Sequence, residues 1–512
     1  MYCLKKHAVC LRFFQNNAIR YISTANAKCL EESNLKSWKD IPGPPSYPLI
    51  GQLLTFIPGG ALYKKNEELP EILYKTYGPI VKLDAIGAIP MIFLYDAEAA
   101  INVFRSENWT PVRPGFQSLE YFRKVYNRRE NPSNASTGLL TEHGEDWKKF
   151  RSVVNPVLLQ PKTIKLYTEP LKEVAEDMIR RMKSKRNDKN MLEGEFDIEM
   201  NLWALESIGV VALGGRINCI DSNLPEESPV RKLIQSVHDT LDAAEKLDFQ
   251  PSLWRYFSTP AFKEAMKHYD EQVKLSKYFV HKAMEDLKVK EKSDDEKAVL
   301  EKLLEIDPEI AVTMASDMLL AGVDTTANSV MGVLYLLAKN PEKQNKLREE
   351  ILSKQEKRPY LRACIKEAIR LMPVVGGNLR KTTKEYNLLG YKIPKDMFLI
   401  VANQYMCLME EHFPRPMEYI PERWIVEKSD PLYYGNAHPF VYGPFGYGTR
   451  SCIGSIKFAQ RLSRRIAELE IDTFVGKIIE NFQVEWFGEP IRSRASTLNY
   501  LIGPYNFIFK DI

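Results

Sequence analysis

The hydrophobic positions of this chain fall mostly at the three-to-four-residue spacing of amphipathic helices. One helix is predicted more clearly than the rest, from about Pro308 to Asn340, with Asp307 as N-cap, Pro308 in the first turn and Asn340-Pro341 as the stop. At about 1.5 Å per residue it would be roughly 50 Å long, enough to cross a whole domain. Its middle, ASDMLLAGVDTTANSV, is apolar almost all round yet carries Asp317, Asp324, Thr325 and Thr326. Polar groups inside a buried helix need partners or a purpose, which marks this stretch as candidate chemistry. Two segments, 79–95 and 386–403, are instead built of β-type residues punctuated by Gly and Pro and read as short hairpins. Ile41-Pro42-Gly43-Pro44-Pro45, with Pro48 soon after, cannot continue a helix and reads as the entry to the folded domain.

Composition narrows the class without naming a function. With 44% hydrophobic and 27% charged residues and no long biased tract, the 512 residues describe a globular chain, not a fibrous or disordered one. Lys plus Arg at 71 against Asp plus Glu at 67 leaves +4, too near balance to argue for nucleic acid. Seven cysteines without a C-x-x-C or a Cys/His cluster argue against a disulfide scaffold and a structural metal site, and for a reducing compartment. The first thirty residues hold Lys5, Lys6, Arg12, Arg20 and Lys28, with no acid before Glu31 and apolar residues spread between the charges. That resembles a mitochondrial transit segment, assigned to residues 1–37, with the domain over 38–512; charges interrupt every stretch long enough for a membrane anchor.

The most informative residues are FGYGTRSCIG, Phe445 to Gly454, where Gly446, Gly448 and Gly454 flank a single thiol, Cys452. Glycines let backbone approach a flat ligand, and N–H groups of a tight loop can face one sulfur, which suits a thiolate held as a metal ligand. The full F-x-x-G-x-R-x-C-x-G pattern resembles the haem-binding loop of the cytochrome P-450 family, the haem-thiolate monooxygenases, and the resemblance covers residues 38–512. It implies a mainly α fold with small β-sheets, a single large haem domain with a long central helix, and haem b with Cys452 as axial iron ligand. Phe445 and Arg450 would belong to the haem site with it. Trp147 and Arg151, in HGEDWKKFR, match the family's W-x-x-x-R pair that donates to a haem propionate, and Arg380 would add positive charge there. Glu367 and Arg370, in KEAIRL, followed by Arg423 in PERW, match the Glu-Arg-Arg triad that supports the haem loop. AGVDTT looks like the oxygen-binding segment: Gly322 would admit a flat ring, Thr325 would donate to iron-bound dioxygen, and Asp324 would help deliver protons from solvent.

The resemblance also implies an activity and a partner. A haem-thiolate monooxygenase inserts one oxygen atom of O2 into an organic substrate with two electrons from a donor. No segment reads as a flavin or nicotinamide domain, so the donor is a separate protein. Arg362 and Lys366, four apart on the helix of Glu367, match the basic positions that mitochondrial members use to dock a 2Fe-2S ferredoxin fed by an NADPH-dependent ferredoxin reductase. With the transit-like start they favour that class, closest in look to insect mitochondrial members, peripheral on the matrix side of the inner membrane. Alternatives stay open: a microsomal-type enzyme using a flavoprotein reductase, a haem-thiolate isomerase or peroxygenase, or a haem protein without oxygenation. Phe116, Leu119, Phe122, Leu319 and Leu498 suggest an apolar substrate, sterol-like or foreign. Two stretches depart from the family. The family's C-x-G-x-x-x-A-x-x-E is interrupted by SIKFAQRLS, residues 455–463, ahead of Arg464 and Arg465. At about 100° per residue these nine would turn a continuous helix by about half a revolution, so the insert is expected to loop out or to be missing from the main transcript. The connection over 341–366 is also short for the family.

Overall fold

The computed structural model describes residues 35–512, apart from 87–88, 108–109, 130–135, 159, 193–195, 221–223, 288–292, 294–295 and 454–465. Nearly all of the expected transit segment therefore lies outside the described residues, as do Gly454, the 455–463 insert, Arg464 and Arg465.

The central helix, Pro308–Lys339, begins and ends where its signals stand. Asp307 accepts from the N–H groups of Glu309 and Ile310 at 2.9 and 3.2 Å, satisfying two of the donors that a helix start leaves unpaired. At the other end, Pro341 opens a further helix, Pro341–Leu352, so the chain turns a corner between helices at Asn340. A six-residue link, 353–358, then leads to helix Pro359–Leu371, which carries Glu367 and Arg370. This compact arrangement fills the connection that the sequence shows to be short.

Helix Phe196–Leu213 is apolar on nearly every face and lies buried against the central helix. At their contact, a Cβ on Gly322 would come within 2.5 Å of Ile208, so this glycine lets the two helices approach. Asp317 also finds a structural partner, a buried ion pair with Arg123 at 2.7 Å, while Arg123 donates to the Thr137 carbonyl at 2.9 Å.

Both β-rich segments form hairpins. Ile80–Leu83 and Met91–Leu94 pair antiparallel and continue into a four-stranded sheet in the order Ile80–Leu83, Met91–Leu94, Phe398–Val401, Asn378–Lys381. Tyr386–Leu388 and Tyr391–Ile393 form the second hairpin. Near the C-terminus Arg492–Ala495 pairs antiparallel with Asn499–Ile502. Between this hairpin, the central helix and helices Pro229–Ala244 and Pro260–Leu287 sits a separate apolar cluster that includes Leu119, Phe122, Val237, Leu241, Leu320 and Leu498, with Phe116 at its edge. Leu319, expected here, belongs to the main core instead, and Leu320 takes its place. One residue along a helix turns the side chain by about 100°, and without a fixed helix orientation the two leucines are indistinguishable in sequence.

Candidate functional site

The loop of Cys452 is a chain of tight turns. Gly446 N–H donates to the Gly443 carbonyl at 3.0 Å, Ser451 N–H to Gly448 at 3.1 Å, and Cys452 N–H to Phe445 at 2.8 Å. Gly446 and Gly448 have φ of 76° and 71°, the left-handed region that favours glycine, and a Cβ on Gly446 would sit 2.8 Å from Asn378 Oδ1. Among the described cysteines Cys452 is exposed, whereas Cys219, Cys364 and Cys407 are buried, and burial pushes their thiols up. The sulfur of Cys452 is therefore open to a ligand, whereas the anion is disfavoured at the other three.

Around this thiol the fold gathers guanidinium groups from distant parts of the chain. Trp147 and Arg151 share the buried face of helix Gly144–Leu158, and Arg151 donates to the Ser451 carbonyl at 3.0 Å. Arg450 lies over the Trp147 ring, 4.3 Å from its centroid, and donates to the carbonyls of Pro111 (3.3 Å), Leu139 (3.0 Å) and Glu142. Arg380 is buried, paired with Glu107 and donating to the Tyr447 carbonyl at 2.8 Å. A fourth group, Arg113, belongs to the same charge cluster, and sequence reasoning missed it. Burial and the neighbouring guanidiniums of Arg113, Arg380 and Arg151 push Arg450 down to about 8. Burial likewise brings Arg113 and Arg151 to about 10, against the pull of Cys452. Burial pushes the carboxyl of Glu107, which lies among them, up despite Arg380. Arg151 Nε is buried without a hydrogen-bond partner. Among the described residues the four guanidiniums meet Glu107 and, at Arg113, Asp317, which is already paired with Arg123; this excess of positive charge, with an unused donor in it, suits a ligand that brings two carboxylates, and the adjacent thiol suits one that also brings a metal. Haem fits both requirements.

Glu367, Arg370 and Arg423 meet in one fully buried cluster. Arg370 grips Glu367 through Nε and Nη2 at 3.0 and 2.8 Å, and Arg423 Nε reaches the same carboxylate at 2.8 Å. Trp424 Nε1 donates to it at 2.9 Å, and Ile420 N–H at 3.2 Å. Further guanidinium hydrogens go to carbonyls: those of Cys407 and Glu418 for Arg370, and of Pro414 and Arg415 for Arg423. The cluster thus pins the irregular stretch that leads to the Cys452 loop.

On the central helix, Thr325 Oγ1 donates to the Ala321 carbonyl at 2.7 Å, while the helix stays continuous through it. Asp324 is buried and accepts from Tyr500 Oη at 2.9 Å. Thr326 faces Glu470, whose carboxyl is fully enclosed. Burial pushes Glu470 up to about 8, and Thr326 pulls weakly the other way. A carboxyl kept neutral by folding stabilises the protein fully below its unfolded value near 4.5 and loses that contribution as the pH rises through about 8. Glu470→Gln, which cannot ionise, is expected to be more stable than the parent by about 3 kcal/mol at neutral pH and equal to it near pH 4. Urea unfolding across that pH range measures it, and a constant difference would contradict the assignment.

Arg362 and Lys366 stand exposed on one face of helix Pro359–Leu371. Arg362 lies 3.7 Å from Asp472, and the Lys366 ammonium sits over the Trp424 ring at 5.6 Å.

A long central helix and a cysteine loop beside clustered guanidiniums define a haem-thiolate protein class, and the model of the Cytochrome P450 family matches residues 41–510. The chain belongs to that family, and it is a monooxygenase of the kind that carries a haem-thiolate iron. It is 36% identical to cytochrome P450 CYP12A2 of Musca domestica, over 96% of this chain and 94% of that one. Identity to the probable mitochondrial cytochrome P450 12b2 of Drosophila melanogaster is 33%, over 93% and 90%. A solved structure, the cytochrome P450 CYP102L1, superposes with a TM-score of 0.69 at 16% identity, covering 88% of this chain and 99% of its own, which establishes the fold.

Proposed function

We propose that this chain is a mitochondrial monooxygenase that holds haem b through the Cys452 thiolate and inserts one oxygen atom of O2 into an apolar substrate, with electrons from a 2Fe-2S ferredoxin. The observation that carries the reading is the exposed thiol of Cys452 beside a charge-rich cluster in which Arg151, Arg380 and Arg450 are buried and Arg113 is partly so. The bound haem supplies the activation of dioxygen. The overall change consumes substrate, O2, two electrons and two protons and yields hydroxylated product and water. Arg113, Arg151, Arg380, Arg450 and Trp147 hold the propionates, Thr325 presents a hydroxyl, and Asp324 is the local acid. The apolar cluster of Leu119, Phe122, Leu320 and Leu498 excludes water and receives a sterol-like or foreign molecule.

The mitochondrial reading draws on the names of similar proteins and on the basic start of the chain. Exposed apolar side chains in two segments, Leu49, Leu54 and Ile57 in one and Tyr256 and Phe257 in the other, support peripheral contact with the inner membrane from the matrix side. Arg362 and Lys366 offer the ferredoxin a basic patch. Reconstitution tests the class: ferredoxin with its NADPH-dependent reductase should support turnover that declines as salt rises, since exposed charges are screened over about 8 Å at physiological ionic strength. Arg362→Glu with Lys366→Glu is expected to weaken ferredoxin binding at least about tenfold while the haem spectrum stays unchanged. Turnover with a microsomal flavoprotein reductase and none with ferredoxin would overturn the class.

A further inference from the structure

A local acid that must be recharged from solvent needs a route, and Asp324 has no direct one: its exposure is 1%. Two side chains reach its carboxylate. His238, on helix Pro229–Ala244, places Nε2 2.9 Å from Oδ1, an ion-pair contact short of an aligned hydrogen bond. Tyr500 donates its hydroxyl to Oδ2 at 2.9 Å. Tyr500 is itself held to the central helix, because the next residue, Leu501, donates its N–H to Asn328 Oδ1 at 2.9 Å. Asn328 Nδ2 in turn donates to the Asp324 carbonyl at 2.9 Å. The rings of His238 and Tyr500 meet edge to face, 6.5 Å between centroids. His238 differs from the other members in keeping 32% of its side chain exposed, so it touches both water and the buried acid.

Resting on the reading of Asp324 as the local acid, we propose that His238 is the residue through which Asp324 draws its protons, with Tyr500 holding the carboxylate in place. In the transfer the Nε2–H bond of the imidazolium breaks and an Oδ1–H bond forms, so both partners become neutral. The basic site left on the ring is Nε2, so the ring turns this nitrogen toward solvent to take a replacement proton from water, while the carboxyl passes its own to the oxygen being reduced and returns to carboxylate.

The surroundings favour the charged form of the ring. Burial draws the imidazole down, but the close contact with the Asp324 carboxylate, with the charges of Asp197 and Asp242, outweighs it and holds the ring above its usual range. Asp197 comes from helix Phe196–Leu213, which also brings the Asn201 amide to within 3.4 Å of Nε2, and Asp242 comes from the ring's own helix. From the C-terminal hairpin, Arg494 donates to Asp242 at 3.1 Å and lies over the Tyr500 ring. Helix Pro260–Leu287, packed on the other side, directs His268 to Asp239 at 3.4 Å. A ring held above its ordinary value keeps its charge below the raised value and loses it as the pH rises through that raised value, so proton supply should fall on the alkaline side.

The test uses the haem-loaded full chain, with ferredoxin-driven O2 consumption followed against pH without added substrate. His238→Gln is expected to slow consumption by about tenfold at neutral pH and to remove the alkaline limb. His238→Arg, which keeps a charge but cannot surrender its proton, should be equally slow. Wild-type rates in either variant overturn the proposal, the Arg variant by showing that charge alone suffices. A second measurement leaves turnover aside: histidine NMR of the diamagnetic ferrous carbon monoxide form should show the His238 ring titrating above 6.5. In Asp324→Asn its midpoint should drop, because the largest opposing charge is gone. A ring insensitive to that change also overturns the proposal. If Asp324→Asn leaves O2 consumption unchanged, the reading of Asp324 fails, and this proposal with it. If it slows consumption and His238→Gln does not, only the role of His238 fails.

Discussion

Cys452→Ala is expected to abolish the absorption signature of a thiolate-bound ferrous carbon monoxide complex and to lower haem content several-fold, while the fold survives. Folding should survive because the side chain is exposed and the loop is closed by main-chain bonds that Ala retains, including Cys452 N–H to the Phe445 carbonyl. The signature should vanish because the other described cysteines are buried in surroundings that disfavour the anion, with Cys407 at about 12. Circular dichroism and the carbon monoxide difference spectrum separate the two effects. A thiolate signature retained in this variant would mean that another sulfur binds the iron.

Glu367→Gln should be the most damaging single change for stability. One carboxylate satisfies Arg370 twice, Arg423, the Trp424 indole and the Ile420 N–H, all buried. Its neutral replacement leaves two enclosed guanidiniums without a counter-charge, a loss of about 3–5 kcal/mol. Set against a total of about 5–15 kcal/mol for a folded protein, that takes the chain to the edge of unfolding. The expected outcome is a large drop in the urea midpoint and little haem-loaded protein, with Glu367→Asp, which keeps the charge, in between. A variant as stable as the parent would show that water or rearrangement replaces the carboxylate.

The features legible in sequence are those written in neighbouring residues. Asp307, Pro308 and Asn340 bound the central helix by local hydrogen bonding, and Gly446 and Gly448 mark turns that suit little else. The Glu367, Arg370 and Arg423 cluster was legible only through the order of its motifs, because an E-x-x-R on a helix says nothing about burial. What escaped depends on residues far apart in the chain. Arg380 looks like any basic strand residue until Glu107, 273 positions earlier, is placed against it. Arg113 follows no spacing rule and enters the cluster only through the path of its loop. The choice between Leu319 and Leu320, and the neighbour of Gly322, depend on how the central helix is rotated against Phe196–Leu213. No periodicity within one helix records that angle.

The C-terminal hairpin contributes Leu498 to the apolar cluster and, two residues on, Tyr500 to Asp324. Leu498 lies in the turn just before strand Asn499–Ile502, and Tyr500 within that strand belongs to the same apolar cluster, so the side chain that shapes the cluster and the one that steadies the acid move together. On the proposed roles, recognition and proton economy are therefore coupled: a substitution at Leu498 that changes which compounds fit the cluster should also shift Tyr500 against Asp324 and send more electrons to peroxide, with later changes around Tyr500 and Asn328 restoring the yield.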